Sequence, residues 1–548
     1  MNVSDPSGSI PGATVVVTDN QTGRERTFVT GDEGSISIPQ LEVGTYTVRV
    51  SSEGRKTKVF NDVKIDIGKT YTLGAVLEAG DIQEVVEVVA GADVINSANA
   101  ELSNTVSSRQ IQELPLNGRN PLTLISLQPG TASNGATNTV INGQRSSFTN
   151  ITRDGLNVQD NFIRANATDF VPDRPNVDDV GEFTITTQNA GVEAGYGASQ
   201  VQLVTPRGSN EFHGAAYIYN RNSKFAANSF FNNLNRIDRP FLNRNQFGGR
   251  LGGPIINPGF GEGTPFFKPL RDKAFFFVAY EGFRLRQSTT VNRTVLTQNA
   301  RNGIFTYVDN NGVLQSVNIF QIPQSGGLIT GIDPLVQNRI LANVPAGNST
   351  AVGNQRNTTG YTVTQLQNQD REAVQTRFDI DANSENSISV IWSWRDEFLL
   401  RPDVDNGGFN SRPFGFQVAK TYTFNSAWRW TPGANFTNEV RGALQLSRPK
   451  FDRENQPNDF FFTLPLITSP ESTFQTQGRN TAIWTLQDNA VYTWRNHSFR
   501  FGTQIHWFRI NPFGPPAFSA STIPTLTIGT NVNTPSLPAS SFPGGISS

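Results

Sequence analysis

Between positions 374 and 381 the chain reads Val374-Gln375-Thr376-Arg377-Phe378-Asp379-Ile380-Asp381. Successive side chains of a strand point to opposite sides. Val374, Thr376, Phe378 and Ile380 therefore share one face, and Gln375, Arg377, Asp379 and Asp381 the other. The alternation recurs further along the chain. Ile388, Val390, Trp392 and Trp394 oppose Ser387, Ser389 and Ser393; Tyr422, Phe424, Trp428 and Trp430 oppose Thr421, Thr423, Asn425 and Arg429. Val440, Gly442, Leu444 and Leu446 oppose Glu439, Arg441, Ala443 and Gln445, and Phe499, Phe501, Ile505 and Trp507 oppose Arg500, Gln504 and His506. A soluble antiparallel sheet with one buried face gives this pattern. So does a membrane barrel with a lipid-facing exterior and a wet lumen. Aromatics at the strand ends, and long loops rich in Asn, Gly, Gln and Ser such as Asn299–Thr364 and Gly407–Pro413, favour the barrel.

Outward from this region, composition removes other classes. With 45 Lys and Arg against 46 Asp and Glu in 548 residues, the chain lacks the basic excess that nucleic-acid binding by phosphate neutralisation needs. No Cys and only three His (His213, His497, His506) exclude disulfide frameworks, thiol chemistry and Cys/His zinc sites. The longest apolar run, Ala274–Tyr280, is far short of a spanning helix, which says nothing about barrel strands. No Gly-x-Ser-x-Gly, no phosphate loop and no metal-spaced His pair occurs, so no catalytic residue, metal or cofactor is expected. Asp178-Asp179 reads as a pair of solvated turn carboxylates. Gly248-Gly249 and Gly252-Gly253-Pro254 read as a turn after a strand, since no helix follows as a nucleotide loop requires.

Towards the N-terminus the pattern changes twice. From Val3 to Ala79, short β-branched runs (Ala13–Thr18, Arg26–Thr30, Gly34–Ile38, Gly44–Val50, Tyr71–Leu73) lie between Gly, Pro, Asp and Asn, as in a small β-sandwich. The next stretch, Glu84-Val85-Val86-Glu87-Val88-Val89, is extended, acidic and Val-rich; it suits addition to another protein's sheet edge, or one more edge strand of its own. Ser97–Gln112 has a helical period and ends at Pro115. An ordered series follows: Leu114-Pro115-Leu116-Asn117-Gly118-Arg119-Asn120, Asn142-Gly143-Gln144-Arg145, Arg153-Asp154-Gly155, Glu193-Ala194-Gly195-Tyr196-Gly197 and Thr205-Pro206-Arg207-Gly208-Ser209-Asn210-Glu211-Phe212-His213-Gly214.

In this order and spacing, the series resembles the plug domain of TonB-dependent outer-membrane receptors of the Oar-like branch. Ile10-Pro11-Gly12-Ala13 followed by a strand resembles the carboxypeptidase regulatory-like domain that precedes the plug in that branch. The resemblance implies a mainly β chain: an Ig-like, carbohydrate-binding-like sandwich over 1–79, a linker with a candidate TonB box over 80–96, an α+β plug over 97–207, and over 208–548 the first part of an antiparallel barrel with 22 strands when complete. The box falls on Glu84, Val85, Val86, Glu87, Val88 and Val89, without the Thr common there. Arg119, Arg145, Arg153 and Asp154 become polar contacts of the plug inside the lumen, more as structural ion pairs than as ligand contacts. The implied partners are TonB with ExbB and ExbD, outer-membrane lipid and an extracellular ligand such as a glycan or peptide. The implied place is the bacterial outer membrane, with the N-terminal domain and plug base facing the periplasm. Some eight to ten strands are countable after Phe212, the family's terminal aromatic strand is missing and Met1–Pro6 is no signal peptide, so the chain reads as a piece of a longer protein. Two other readings stand beside import: a barrel-anchored adhesion or structural surface protein, and a soluble secreted carbohydrate-binding β-protein. The sandwich is a spacer or a glycan-binding module.

Overall fold

A computed structural model describes the chain apart from residues 39–40, 90–99, 134–138, 165–171, 192–193, 198, 235–237, 259–266, 325–326, 329–330, 405–407, 434, 495–496, 515–522, 528–538 and 547–548.

The first unit is built on a five-stranded sheet of β1 (Thr14–Asp19), β2 (Glu25–Val29), β3 (Gly44–Ser51), β4 (Thr57–Ile65) and β5 (Val85–Val89), in the order β2-β1-β3-β4-β5. A small sheet of Gly8–Ser9, Asn2–Asp5 and Gly74–Val76 accompanies it. Val15, Val17, Phe28, Val48, Val50 and Phe60 alternate inward to form the core. β5 pairs in parallel with β4, from Thr57 opposite Val85 to Asn61 opposite Val89. This sheet therefore continues past residue 79, and Val85–Val89 is an edge strand rather than part of a linker.

A middle unit follows, with β6 (Leu102–Val106), α1 (Ser108–Glu113), β7 (Thr149–Arg153), β8 (Leu156–Asn157), β9 (Glu182–Gln188) and β10 (Ser199–Val204), in the sheet order β8-β7-β10-β9-β6. The helical period read over Ser97–Gln112 is corrected here: Leu102–Val106 is a strand paired with β9, and the helix spans only Ser108–Glu113 behind a Ser107/Gln110 capping box. Pairing in the sheet outweighs a weak local period. Ile111, Leu122, Ile125, Ile151, Phe183 and Val201 fill the core, and Ala443 of the large sheet closes it from outside.

Ten strands make the large antiparallel sheet: β11 (His213–Asn222), β12 (Leu242–Pro254), β13 (Ala274–Leu296), β14 (Thr358–Leu366), β15 (Gln369–Asp381), β16 (Asn386–Leu400), β17 (Gly415–Gly433), β18 (Phe436–Arg453), β19 (Gln477–Trp494) and β20 (His497–Phe513). Neighbours follow chain order, except that β14 and β15 both pair with β13, on successive stretches of that long strand. Its burial is inside out. Gln375, Arg377 and Asp379 are 1%, 4% and 4% exposed, whereas Phe378 and Ile380 are each 43% exposed. Thr421, Thr423 and Asn425 are buried, while Tyr422, Phe424, Trp428 and Trp430 face out. A soluble sheet would bury the aromatics; a lipid-facing wall around a polar lumen exposes them. Among the described residues no helix is long and apolar enough to cross a membrane.

One end of the wall has tight connections: β15 ends at Asp381 and β16 starts at Asn386, and β17 ends at Gly433 and β18 starts at Phe436. At the other end, Leu296 to Thr358 and Arg453 to Gln477 are long. Barrels of this class put short turns in the periplasm and long loops outside. The stretch expected as a loop over Asn299–Thr364 contains a hairpin (Ile304–Val308 with Leu314–Asn318) and β14, and Val295, Ile340, Leu341, Val344, Phe409, Phe462 and Ile467 give the outer region its own core. The glycines expected in a turn lie within β12; a Cβ on Gly248 would come 2.8 Å from the Tyr217 hydroxyl, so a strand packed this closely by its neighbour's ring requires glycine there.

Candidate functional site

The middle unit meets the wall through a square of charges. Arg153, the last residue of β7, donates from Nη1 to Asp173 at 3.1 Å and from Nη2 to Asp179. From the wall, Arg395 donates from Nε to the other Asp173 oxygen at 3.0 Å and from Nη2 to Asp179 at 2.6 Å. Both guanidiniums also donate to the Gln375 side-chain oxygen Oε1, at 3.2 and 3.3 Å, and the Ser393 hydroxyl donates to Asp173 at 3.2 Å. Burial alone would push the Asp173 carboxyl up, but Arg153 and Arg395 hold it below the usual carboxylate range. Asp178 and Asp179, expected as solvated turn residues, are 7% and 1% exposed. The correction has a physical cause: a short 3-10 turn, Val177–Asp179, turns both carboxylates towards arginines.

Arg119 takes up a left-handed backbone (φ 54°) after Gly118, and this directs its side chain to Asp178 and to Glu281 at 3.5 Å, over the rings of Tyr217 and Tyr219 at 4.3 and 4.8 Å. Asp154 also has positive φ (48°). Its carboxylate accepts from the Thr205 N–H at 3.0 Å and hydroxyl at 2.6 Å, and its main-chain carbonyl accepts from Asn425 at 2.7 Å and from Arg441. The structure thus brings Arg119, Arg153 and Asp154 to the wall. Arg145 is exposed ahead of a short 3-10 turn and stays apart. Sequence reasoning missed Asp173, Asp179, Arg395 and Glu281. Arg395, next to Trp394 and on the lumenal face of β16, carried the one usable signal: a charge continuing the polar face.

At the short-turn end the first unit docks into the mouth of the wall. Glu42 accepts from Arg429 at 2.7 Å and lies 3.5 Å from Arg377. Arg24 donates to Asp381 at 2.7 Å and to the Ser384 carbonyl at 3.2 Å. Arg207, between the middle unit and β11, reaches Asp19 at 3.3 Å and Asp381 at 3.2 Å. Burial would raise the Glu42 carboxyl, yet Arg429, Arg377 and Arg207 outweigh it and hold it far below the usual range. The Ile67 N–H donates to Glu182 of β9 at 2.8 Å, and burial pushes that carboxyl up.

The candidate box is held on one side only. Its β5 strand is paired with β4, the Thr57 N–H donates to the Glu84 carbonyl at 2.8 Å, and Lys56 is 2.9 Å from the Glu84 carboxylate. No further strand follows β5 in the sheet, so its outer edge is unpaired among the described residues. At the long-loop end a cavity of about 270 Å³ lies above the square, lined by Phe283, Arg371, Arg395, Glu397, Ala419 and Arg479, with the Arg371 guanidinium 4.0 Å over the Phe283 ring.

A family model described as an outer membrane beta barrel domain matches residues 204–541. The chain belongs to that family. A second model, the carboxypeptidase regulatory-like domain, matches residues 2–78. The chain is 28% identical over 298 residues to the TonB-dependent transporter Oar of Myxococcus xanthus, covering 51% of this chain and 26% of that protein. It thus spans about a quarter of the length of the curated relative it matches. Among solved structures it is similar to the ferric enterobactin receptor of Pseudomonas aeruginosa (12% identity, TM-score 0.41, 76% of this chain and 50% of that one). It is likewise similar to the siderophore receptor PirA of Acinetobacter baumannii (12%, 0.41, 74% and 47%). A regulatory-like domain ahead of an outer-membrane barrel, with the likeness to Oar, bears out the resemblance to Oar-like TonB-dependent receptors and places the barrel in the outer membrane.

Proposed function

We propose that this chain belongs to a receptor that binds a solute outside the cell and imports it past a removable plug. The carrying observation is that the lumen is occupied by a folded unit tied to the wall by buried ion pairs, Arg395 to Asp173 and Asp179, Arg119 to Glu281 and Arg479 to Asp160, with Ala443 as the one wall residue in its apolar core among the described residues. Such contacts have two discrete arrangements, made and unmade, and a plug with differential ligand affinity in the two is what energised import needs. In this reading residues 97–207 are the plug and Glu84–Val89 is the TonB box. TonB adds a strand along the open edge of β5, and ExbB and ExbD supply the energy. The solute, a glycan, peptide or other large molecule, first meets the cavity beside Arg371 and the outer loops.

The test compares the full-length wild type with Val86→Pro, which removes a backbone donor from the box strand. Cells are scored for surface binding and periplasmic arrival of a panel of fluorescent oligosaccharides and peptides, and the purified protein for binding to the C-terminal domain of TonB. Retained surface binding with lost uptake and lost TonB binding supports import through this box. The outer core around Ile340 and Phe462 favours a second reading, a rigid adhesive platform on a barrel anchor; undiminished uptake and TonB binding by Val86→Pro would leave that reading in place.

A further inference from the structure

The N-terminal unit bears on how the pathway closes. Among the described residues its apolar core contains only residues of the first 77 positions, so no shared apolar core fuses it to the wall there. What holds it in the mouth is polar: Glu42 to Arg429 and Arg377, Arg24 to Asp381, Arg207 to Asp19, and the Asn210 N–H donating to the Gln21 carbonyl at 3.0 Å. Polar contacts between domains of one chain separate more readily than shared apolar cores. The charges left behind remain satisfied. Arg377 keeps Asp379 at 2.9 Å, Arg429 keeps Glu439 at 2.7 Å, and Arg207 keeps Asp381 at 3.2 Å. Departure of Glu42 thus strands no buried guanidinium, unlike removal of a partner from a closed pair.

Position gives the contact its meaning. Arg377, which holds Glu42, is also 4.0 Å from Asp154, the turn by which the middle unit touches the wall. A cavity of about 720 Å³ lined by Leu41, Glu42, Tyr71, Asp154, Arg441 and Gln504 lies between the N-terminal unit, the middle unit and the wall. A solute passing between plug and wall would arrive in that chamber with the N-terminal unit across its floor. The same unit carries β5 on its sheet edge, and β4, its neighbour, runs on to Ile67 at Glu182 of β9.

We propose that the N-terminal domain is a reversible gate on the periplasmic mouth, held shut by Glu42 and Arg24, with the Val85–Val89 strand as the handle that opens it. The gate stands on its own contacts; the handle rests on the import reading above. The docked state can be trapped by Gln21→Cys with Asn210→Cys, residues whose main chains already hydrogen-bond, in a full-length protein with any other Cys replaced by Ser. In outer-membrane vesicles carrying the full-length protein, copper phenanthroline with dissolved oxygen as electron acceptor oxidises the two thiols to the disulfide in high yield. Added Glu42→Gln or Arg24→Gln lowers that yield about threefold or more, while the barrel keeps its heat-modifiable mobility on gels. Equal yield with and without Glu42→Gln and Arg24→Gln, or low yield in all of them, overturns the gate without involving TonB. In living cells the yield falls on energisation and recovers with a protonophore, and Val86→Pro abolishes the fall. A gate that passes in vesicles but ignores energisation overturns the handle, and with it the import reading, while the gate itself stands.

Discussion

Two charged junctions hold this molecule together, and they differ in what they leave behind when broken. In the upper one, Arg153 and Arg395 share Asp173 and Asp179, each group at or below 10% side-chain exposure. In the lower one, Glu42 has 30% of its side chain open to the chamber, and each arginine it meets has a carboxylate of its own on the wall. Ion pairs alone therefore do not tell a contact that is costly to part from one that parts freely. The deciding quantity is whether separation strands a charge in a dry place.

The strongest test of that contrast is at the square. Asp179→Asn leaves two buried guanidiniums short of charge and should cost about 3–5 kcal/mol, read as lost hydrogen-exchange protection of Thr149–Arg153 in the purified receptor. A loss no larger than that of Glu42→Gln would erase the distinction. Next in size, Asp154→Ala removes the bonds to Thr205 and puts a Cβ residue without a local acceptor at φ 48°, for about 1–3 kcal/mol by the same readout. Asp154→Gly, which accepts that backbone freely, should recover part of it.

Acid sharpens the comparison from the other side. Asp173 and Glu42 both have folded carboxyls held below their unfolded values, so each contributes stability that is fully present above the ordinary carboxylate range and is lost as pH falls through the lowered value. Docking measured by the exchange protection of the Asn210 amide, corrected for its intrinsic rate, should accordingly be flat from about pH 6 to 8 as far as Glu42 controls it and weaken below about pH 4. Release between pH 6 and 7 would show a titrating group other than Glu42 in control.

Much of this was legible in the chain, and the illegible part has a common cause. Period two in Val374–Asp381 named both faces of β15, and the Arg153-Asp154-Gly155 motif pointed to residues that do meet the wall. Asp178-Asp179 was misread because two adjacent carboxylates in a turn look solvated until the arginines that bury them, Arg119 and Arg153 from other segments, are in place. Leu102–Val106 was misread as helix for a similar reason: its partner β9 lies some eighty residues on. The role of Glu42 could not be read at all, since Arg377 and Arg429 lie more than three hundred residues away.

The smallest expected effect closes the comparison. Arg145 belongs to the same motif series as Arg119 and Arg153, yet it is exposed beside the Ser146–Phe148 turn, and neither junction contains it. Arg145→Ala should shift stability by less than about 0.5 kcal/mol and leave exchange protection at both junctions unchanged. A clear loss of uptake with unchanged stability would place Arg145 on the solute's route rather than in the scaffold, because an exposed side chain whose loss leaves the fold intact acts on something that arrives.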